Sequence, residues 1–473
     1  MVFQRILPLL VLLVLAGACT PDTNPLQSAA ASQAGTAAMP RSIEKEVGPA
    51  YSSPTLQSMV NRVGQKLVAS SGISGSYRFY VLDQPVANAH AMSSGYVFVT
   101  RGLLALMDDE AELAAAMGHE LGHIVQKHAA QREQARKGVL DSAVDATLKS
   151  GSMSVGRSVA REGLLQLRRY SRDQELAADQ VGLGYITRAG YRGDAMVTLI
   201  DKLRRQSRLE DELMGESAGA AETGDRSALS THPAPDDRLA ALRAMSKPPT
   251  PGESNRVGYL KTIEGMSVDD APEEGFVRGS SFLHPTLQLA FELPRDFRLF
   301  NDHEGVIGIG RDRSMMYFSC RGEAVPGRLD DWMRNQLKPT PTDIEETAIG
   351  GSEAAIGARP RGSDTGLGQI RYVIIRHNDG ICYFNLLADG PDRDRRIQTL
   401  VNATRSFRRL SLAEAASIRP YRLQIVPTAG TSPAALAARM PYSDLRMDRL
   451  LTLNGVDDGT ALMGRAEIKL VQP

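Results

Sequence analysis

Apolar positions divide the chain into stretches of different period. An unbroken apolar run covers Ile6 to Leu15, and residues 20–40 are then polar, small and proline-bearing. From 41 to about 250 the apolar residues recur mostly at helical spacing. "YRFYVLD" (77–83) and "GYVFVT" (95–100) break that spacing and predict strands. Residues 207–231, rich in Ala, Gly, Ser and Glu, predict a mobile loop, and the Pro-rich "SKPPTPGES" (246–254) predicts a linker and boundary. From about 275 to 410 the texture turns strand-like. "LQLAFEL", "GVIGIG", "MMYFSC", "IRYVIIRH" and "ICYFNLL" are separated by turn residues, and "RLDDWMRNQL" and "DRDRRIQTLVNATRSF" read as helices. The last 55 or so residues pattern as strand, helix, helix, strand. The expected fold class is therefore multidomain α+β, with a mainly helical first domain that holds a small sheet.

The 473 residues suffice for two to four domains. Composition is that of a folded protein, 42% hydrophobic and 23% charged. With 55 basic and 55 acidic residues, and no basic stripe, nucleic acid is excluded as an expected partner. Arg5, the apolar run and "AGAC" have a secretory-signal layout. The small residues before Cys19 resemble the bacterial lipoprotein signal. That resemblance implies a signal peptide over 1–18, lipidation at Cys19, a flexible tether over 19–40 and an outer-membrane anchor facing the periplasm of a Gram-negative bacterium. Cys320 and Cys382 could pair in such an oxidising compartment.

The chemistry concentrates in "DDEAELAAAMGHELGHIVQKHAAQREQARKG". Asp109 and Glu112 carry a capping-box signature, and the pattern predicts one helix closing near Gly138. His119 and His123 are four apart, about 40° apart on one helical face, so both imidazoles reach one ion. Glu120 lies about 100° round, beside such an ion and suited to act as a general base. His128 is roughly 140° from His123 on a straight helix, which excludes it as a ligand and leaves a surface or packing role. A catalytic metal site needs a third protein ligand. Downstream, in "RRYSRDQELAADQVGLGYITRAGY", Glu175 and Asp179 are four apart on another predicted helix. One carboxylate can bind the metal and the other can hold the N–H of a ligating histidine.

Four segments together resemble the zinc metallopeptidases of the HtpX/CAAX-prenyl-protease type, in the gluzincin group. They are "NAHAMSSGYVFVTRGLL", "DEAELAAAMGHELGHIVQKH", "SRDQELAADQVGLGYITRAGY" and "LSTHPAPDDRLAAL". The resemblance runs from about 41 to 245 and is strongest to the soluble periplasmic branch that includes beta-barrel-assembly-enhancing proteases. It implies one Zn²⁺ held by His119, His123 and Glu175. Glu120 would be the base that also protonates the leaving amine, and Asp179 would hold a ligating histidine. His232 would either stabilise an oxyanion or occupy the fourth coordination position as a latency switch, and Arg238 is a weaker electrostatic candidate. A substrate strand is implied at Asn88, Ala89, Gly95, Tyr96 and Val97, with His90, Ser93 and Ser94 departing from the family pattern. The implied activity is endopeptidase hydrolysis of misfolded or stalled envelope proteins, with a latent chaperone or scaffold as the alternative. Residues 41–250 would form the zincin peptidase domain. The order of elements in 251–415 resembles a PsbP-like sandwich. "LLTLNG" in 416–473 resembles a LysM module, which implies peptidoglycan as a partner and a third function class, glycan binding.

Overall fold

The computed structural model describes residues 38–473 apart from 151, 215–231, 233–234, 246–250, 303–304 and 361–368. The signal segment, Cys19, nearly all of the tether and positions 215–231 of the predicted loop lie outside the described residues. Residues 207–214 belong to a helix. No described helix is long and apolar enough to cross a membrane.

The chain forms two compact units. The first comprises 38–210, 223–269 and 420–473. Its elements begin with α1 (Arg41–Val47), α2 (Pro54–Ser71), β1 (Arg78–Leu82), β2 (Ala89–Ala91), β3 (Tyr96–Thr100) and α3 (Arg101–Leu106). Then come α4 (Glu110–Val125), α5 (His128–Ser150), α6 (Met153–Arg188), α7 (Ala195–Met214), α8 (Pro235–Met245) and α9 (Arg256–Ile263). The three strands form one sheet in the order β1-β3-β2, with β1 parallel and β2 antiparallel to β3. Val60, Val63 and Leu67 of α2, Val97 and Val99 of β3, and Leu113, Met117 and Leu121 of α4 meet in one core.

Asp109 caps α4 through a hydrogen bond from the Glu112 amide at 2.9 Å. The reciprocal half of the capping box is displaced by one residue, because the Glu112 carboxylate accepts from the Asp108 amide at 2.7 Å. The helix does not run to Gly138. It ends at Val125, and Lys127 adopts a left-handed φ of 58° before α5 starts at His128. No glycine or proline marks this break in the sequence.

The unit does not stop at the predicted linker. Tyr259, Leu260 and Ile263 of α9 enter the same core, and the Tyr259 hydroxyl donates to Leu104 O at 2.7 Å. The C-terminal segment, β15 (Arg422–Pro427), α13 (Pro433–Ala438), α14 (Arg446–Leu453), α15 (Gly459–Met463) and β16 (Glu467–Gln472), also joins this unit. Leu423 exchanges backbone hydrogen bonds with Gly265 and Met266 and buries its side chain in the core of α2 and α4.

The second unit centres on 270–419. β4 (Phe276–Arg278), β5 (Ser281–His284), β6 (Leu289–Glu292) and the short β14 (Arg408–Arg409) form a four-stranded antiparallel sheet. A seven-stranded antiparallel sheet holds β7 (Phe297–Asp302), β8 (Gly305–Gly310), β9 (Met315–Arg321), β10 (Thr342–Ile349), β11 (Ser352–Ala358), β12 (Gln369–His377) and β13 (Gly380–Ala388). The helices are α10 (Leu329–Gln336), α11 (Arg393–Thr404) and α12 (Leu412–Ser417). Phe282, Phe291, Phe318, Phe384 and Phe407 share its core with Leu400 of α11. Cys320 and Cys382 are direct cross-strand partners in β9 and β13 and are joined by a disulfide.

Candidate metal centre

Close approach of α4 and α6 builds the centre. A Cβ at Gly122 would lie 2.9 Å from Ala178 O, and one at Gly182 would lie 2.9 Å from the His119 amide. Small residues at these contacts let the two backbones come near enough for Glu175 on α6 to reach both histidines of α4. The Nε2 atoms of His119 and His123 are 3.0 Å apart. Glu175 Oε2 is 3.2 Å from His119 Nε2, and Glu175 Oε1 is 3.4 Å from His123 Nε2. His232 adds a fourth donor, its Nδ1 2.8 Å from Glu175 Oε2 and 3.2 Å from His119 Nε2.

These four side chains fit a divalent cation. One ligand atom from each lies within 4.8 Å of all the others. A tetrahedral ion with bonds near 2.0–2.1 Å needs donors about 3.3–3.4 Å apart, close to the separations seen. Glu175 Oε1 is buried and accepts no hydrogen bond among the described residues. The Nδ1 of His119 faces Asp179 Oδ1 at 2.8 Å. With that nitrogen donating, Nε2 is left to offer a lone pair to an ion.

Arg238 braces the arrangement from α8. Its Nε and Nη2 each donate to Asp179 at 2.7 Å, and its Nη1 lies 3.3 Å from Glu175 Oε2. A guanidinium locked on Asp179 in this bidentate way is not directed at a developing oxyanion, so Arg238 holds the carboxylates in place instead. His128, set aside above on a straight-helix argument, is buried, with its Nδ1 2.9 Å from His123 Nδ1. It stays outside the ligand set, but the break at Lys127 brings it against a ligand.

The implied substrate strand β3 is not an edge of its sheet. β3 has β1 on one side and β2 on the other, so its backbone is already paired. Gly95 lies in the β2–β3 turn, where a Cβ would meet Ser76 O at 2.4 Å, and Val97 is buried in the core. Tyr96 pairs with Arg78 of β1. β2 is an edge strand of this sheet and packs on α4. The Asn88 carbonyl accepts from Thr100 and the Met92 amide donates to Tyr96. By antiparallel alternation, Ala89 and Ala91 direct their peptide groups away from β3.

The electrostatics prepare the donors unequally. Burial lowers the pKa of His119, but the Asp179 carboxylate outweighs it and the group is raised to about 9. Burial pushes His123 down to about 4. Burial acts to raise Glu175, yet the imidazoles of His119, His123 and His232 packed against it hold its carboxyl far below the usual range. An entering ion therefore displaces one proton, that of His119. Below about pH 9 the proton competes with the metal, so apparent affinity should rise about tenfold per pH unit and then level off. Calorimetric titration of Zn²⁺ at pH 7 in two buffers of different ionisation enthalpy should show about one proton released per ion. No proton release would contradict the paired His119–Asp179 arrangement.

Residues 54–246 match the family described as Peptidase family M48. The beta-barrel assembly-enhancing protease of Escherichia coli (strain K12) is 27% identical over 235 residues, which cover 47% of this chain and 43% of that one. The protein of the same name from Yersinia pestis is 29% identical over 218 residues, covering 43% and 42%. The mitochondrial metalloendopeptidase OMA1 of Schizosaccharomyces pombe is 31% identical over 198 residues, covering 41% and 53%. The matches thus span about half the length of these relatives or less.

Proposed function

We propose that the protein is a zinc-dependent metalloendopeptidase that cleaves unfolded or misassembled envelope proteins, held at the outer membrane through Cys19. The convergence of His119, His123, Glu175 and His232 on one point, with Glu120 beside it, carries the proposal. Two imidazoles and a carboxylate suit zinc among the divalent ions. When bound, the ion supplies Lewis acidity, polarising a carbonyl and lowering the pKa of a water. Glu120 Oε1 takes the proton of the attacking water and delivers it to the leaving amide nitrogen. Buried histidines around Glu120 offset the upward effect of burial and keep its carboxylate ionised. Asp179 and Arg238 hold His119 and Glu175 in line. An extended substrate would add to the β2 edge through Ala89 and Ala91, a pairing that reads backbone and suits chains with exposed strand edges.

The position of His232 favours a latent resting state. Its Nδ1 completes the donor set, and its Nε2 lies 3.4 Å from Glu120 Oε1. It thus fills the space where water and carbonyl must enter, and a closed form of this kind could act as a scaffold or chaperone between cleavage events. His232→Ala is expected to raise hydrolysis of an unfolded protein several-fold, measured as peptide release. A fall of roughly 10²–10³-fold would instead assign His232 to oxyanion stabilisation.

The PsbP-like and LysM-like resemblances belong to the same proposal, and the tail is read as a brace. Asn454 of the "LNG" turn donates to Leu450 O and Lys469 O at 2.9 and 2.8 Å. A Cβ at Gly455 would sit 2.5 Å from Lys202 Cε of α7. A turn engaged in this way serves the peptidase unit rather than a peptidoglycan strand.

A further inference from the structure

His128 serves neither as a ligand nor as a base in the mechanism above, yet a deviation of the backbone brings it to the centre. On a continuous helix it would stand roughly 140° from His123. The chain instead stops α4 at Val125, turns through Gln126 and Lys127, and restarts as α5 at His128. Lys127 holds a left-handed φ of 58°, a conformation rarely kept by a residue with a Cβ unless its surroundings impose it. The turn is closed by the Lys127 amide on Ile124 O at 3.0 Å and the Gln131 amide on Lys127 O at 3.1 Å. The His128 ring thereby meets the His123 ring nearly edge-on, with centroids 4.9 Å apart, planes at 75° and Nδ1 to Nδ1 2.9 Å.

Resting on the metallopeptidase reading, we propose that His128 is a positioning residue for the metal centre, its Nδ1 accepting the Nδ1–H of His123 and fixing that ring with Nε2 turned toward the ion. A hydrogen bond between two imidazoles needs one donor and one acceptor nitrogen. His123 coordinates through Nε2, so its Nδ1 carries the proton. His128 then accepts at Nδ1 and carries its own proton on Nε2.

The two ligand histidines are in consequence backed by unlike partners. His119 leans on the ionised Asp179, itself gripped by Arg238, whereas His123 leans on a neutral imidazole. A carboxylate makes its histidine a stronger electron donor than a neutral acceptor does. The ion would thus be held through one strongly donating and one weakly donating imidazole, leaving it more electrophilic than two carboxylate-backed ligands would. The same contact fixes where α5 starts, so the break and the ligand geometry are one feature.

The test uses the full chain and three proteins: wild type, His128→Asn and His128→Leu. The Asn Oδ1 takes the place of the lost Nδ1 as an acceptor, and Leu fills the space without accepting. Zinc affinity is measured by chelator competition, and the visible absorption of the cobalt-substituted proteins reports ligand geometry independently of activity. His128→Leu is expected to bind zinc about 10–100-fold more weakly, with a shifted cobalt spectrum. His128→Asn is expected to recover most of the affinity and the wild-type spectrum. Wild-type affinity and spectrum in His128→Leu would overturn the proposal, as would equal losses in Asn and Leu, which would assign packing alone. A wild-type protein that binds no zinc would overturn the metallopeptidase reading itself, an outcome distinct from either.

Discussion

Glu120→Gln is expected to lower kcat/KM for an unfolded protein substrate by roughly 10²–10⁴-fold while leaving the fold and the metal in place. Gln keeps the volume and one acceptor oxygen but cannot take a proton from the attacking water. Glu120 is buried on α4 beside both histidines, and His232 Nε2 lies 3.4 Å from its Oε1. Its carboxylate makes no ion pair with an Arg or Lys among the described residues, so the substitution strands no cation. Loss of turnover with unchanged thermal unfolding would thus report the chemical step. Equal rates in Glu120→Gln and wild type would assign proton transfer to another group.

The second large effect is expected far from the candidate metal centre, at Asp108. Asp108 lies just before the capping residue of α4 and is nearly inaccessible. Burial acts to raise its pKa, but Lys469, Lys202, Arg465 and Arg256 hold the carboxyl well below the usual range. The distances are 3.0, 3.0, 2.8 and 3.2 Å. Lys469, from the final strand, is completely buried and also donates to the carbonyls of Ala105, Leu106 and Met107. Those carbonyls close α3, so the last strand pins the segment from which the active helix starts. Asp108→Ala leaves the two buried cations, Lys469 and Lys202, with too little negative charge. The expected cost is about 3–5 kcal/mol, the range for removing one member of a buried ionic network. Thermal or urea unfolding of the purified variant would measure it. Asp331→Ala, at an exposed pair with Arg334, serves as a control and is expected to change stability by less than about 0.5 kcal/mol. A shift in Asp108→Ala no larger than in the control would contradict the anchoring of α4 by the C-terminal strand.

Local periodicity made part of this structure legible. The four-residue spacing of His119 and His123, the cap at Asp109 and the carboxylate pair Glu175–Asp179 each follow from one helix turn, and the structure unites all but the cap at one point. The strands "RFYVL" and "YVFVT" were legible because β-branched and aromatic residues dominate them. Other features depend on energy terms that periodicity does not carry. Nothing in "IVQKHAAQ" announces a left-handed Lys127, so the straight-helix phase misplaced His128. The strand β10, "TDIEETAI", is mostly exposed and polar, which masked its place in the seven-stranded sheet. Lys469 and Asp108 are separated by some 360 positions, and only the tertiary fold shows that the tail and the peptidase share one unit. The place of β2 at an edge of its sheet likewise required the strand order, which three short strands do not reveal by themselves.

Metal content decides whether His119, His123 and Glu175 together hold an ion. Wild type and Glu120→Gln, purified without chelator and dialysed against metal-free buffer, should each retain about one zinc per chain, whereas Glu175→Ala should lose most of it, as expected of a site with three protein ligands. Zinc retained equally in Glu175→Ala, or absent from all three proteins, would contradict a metal centre built from His119, His123 and Glu175.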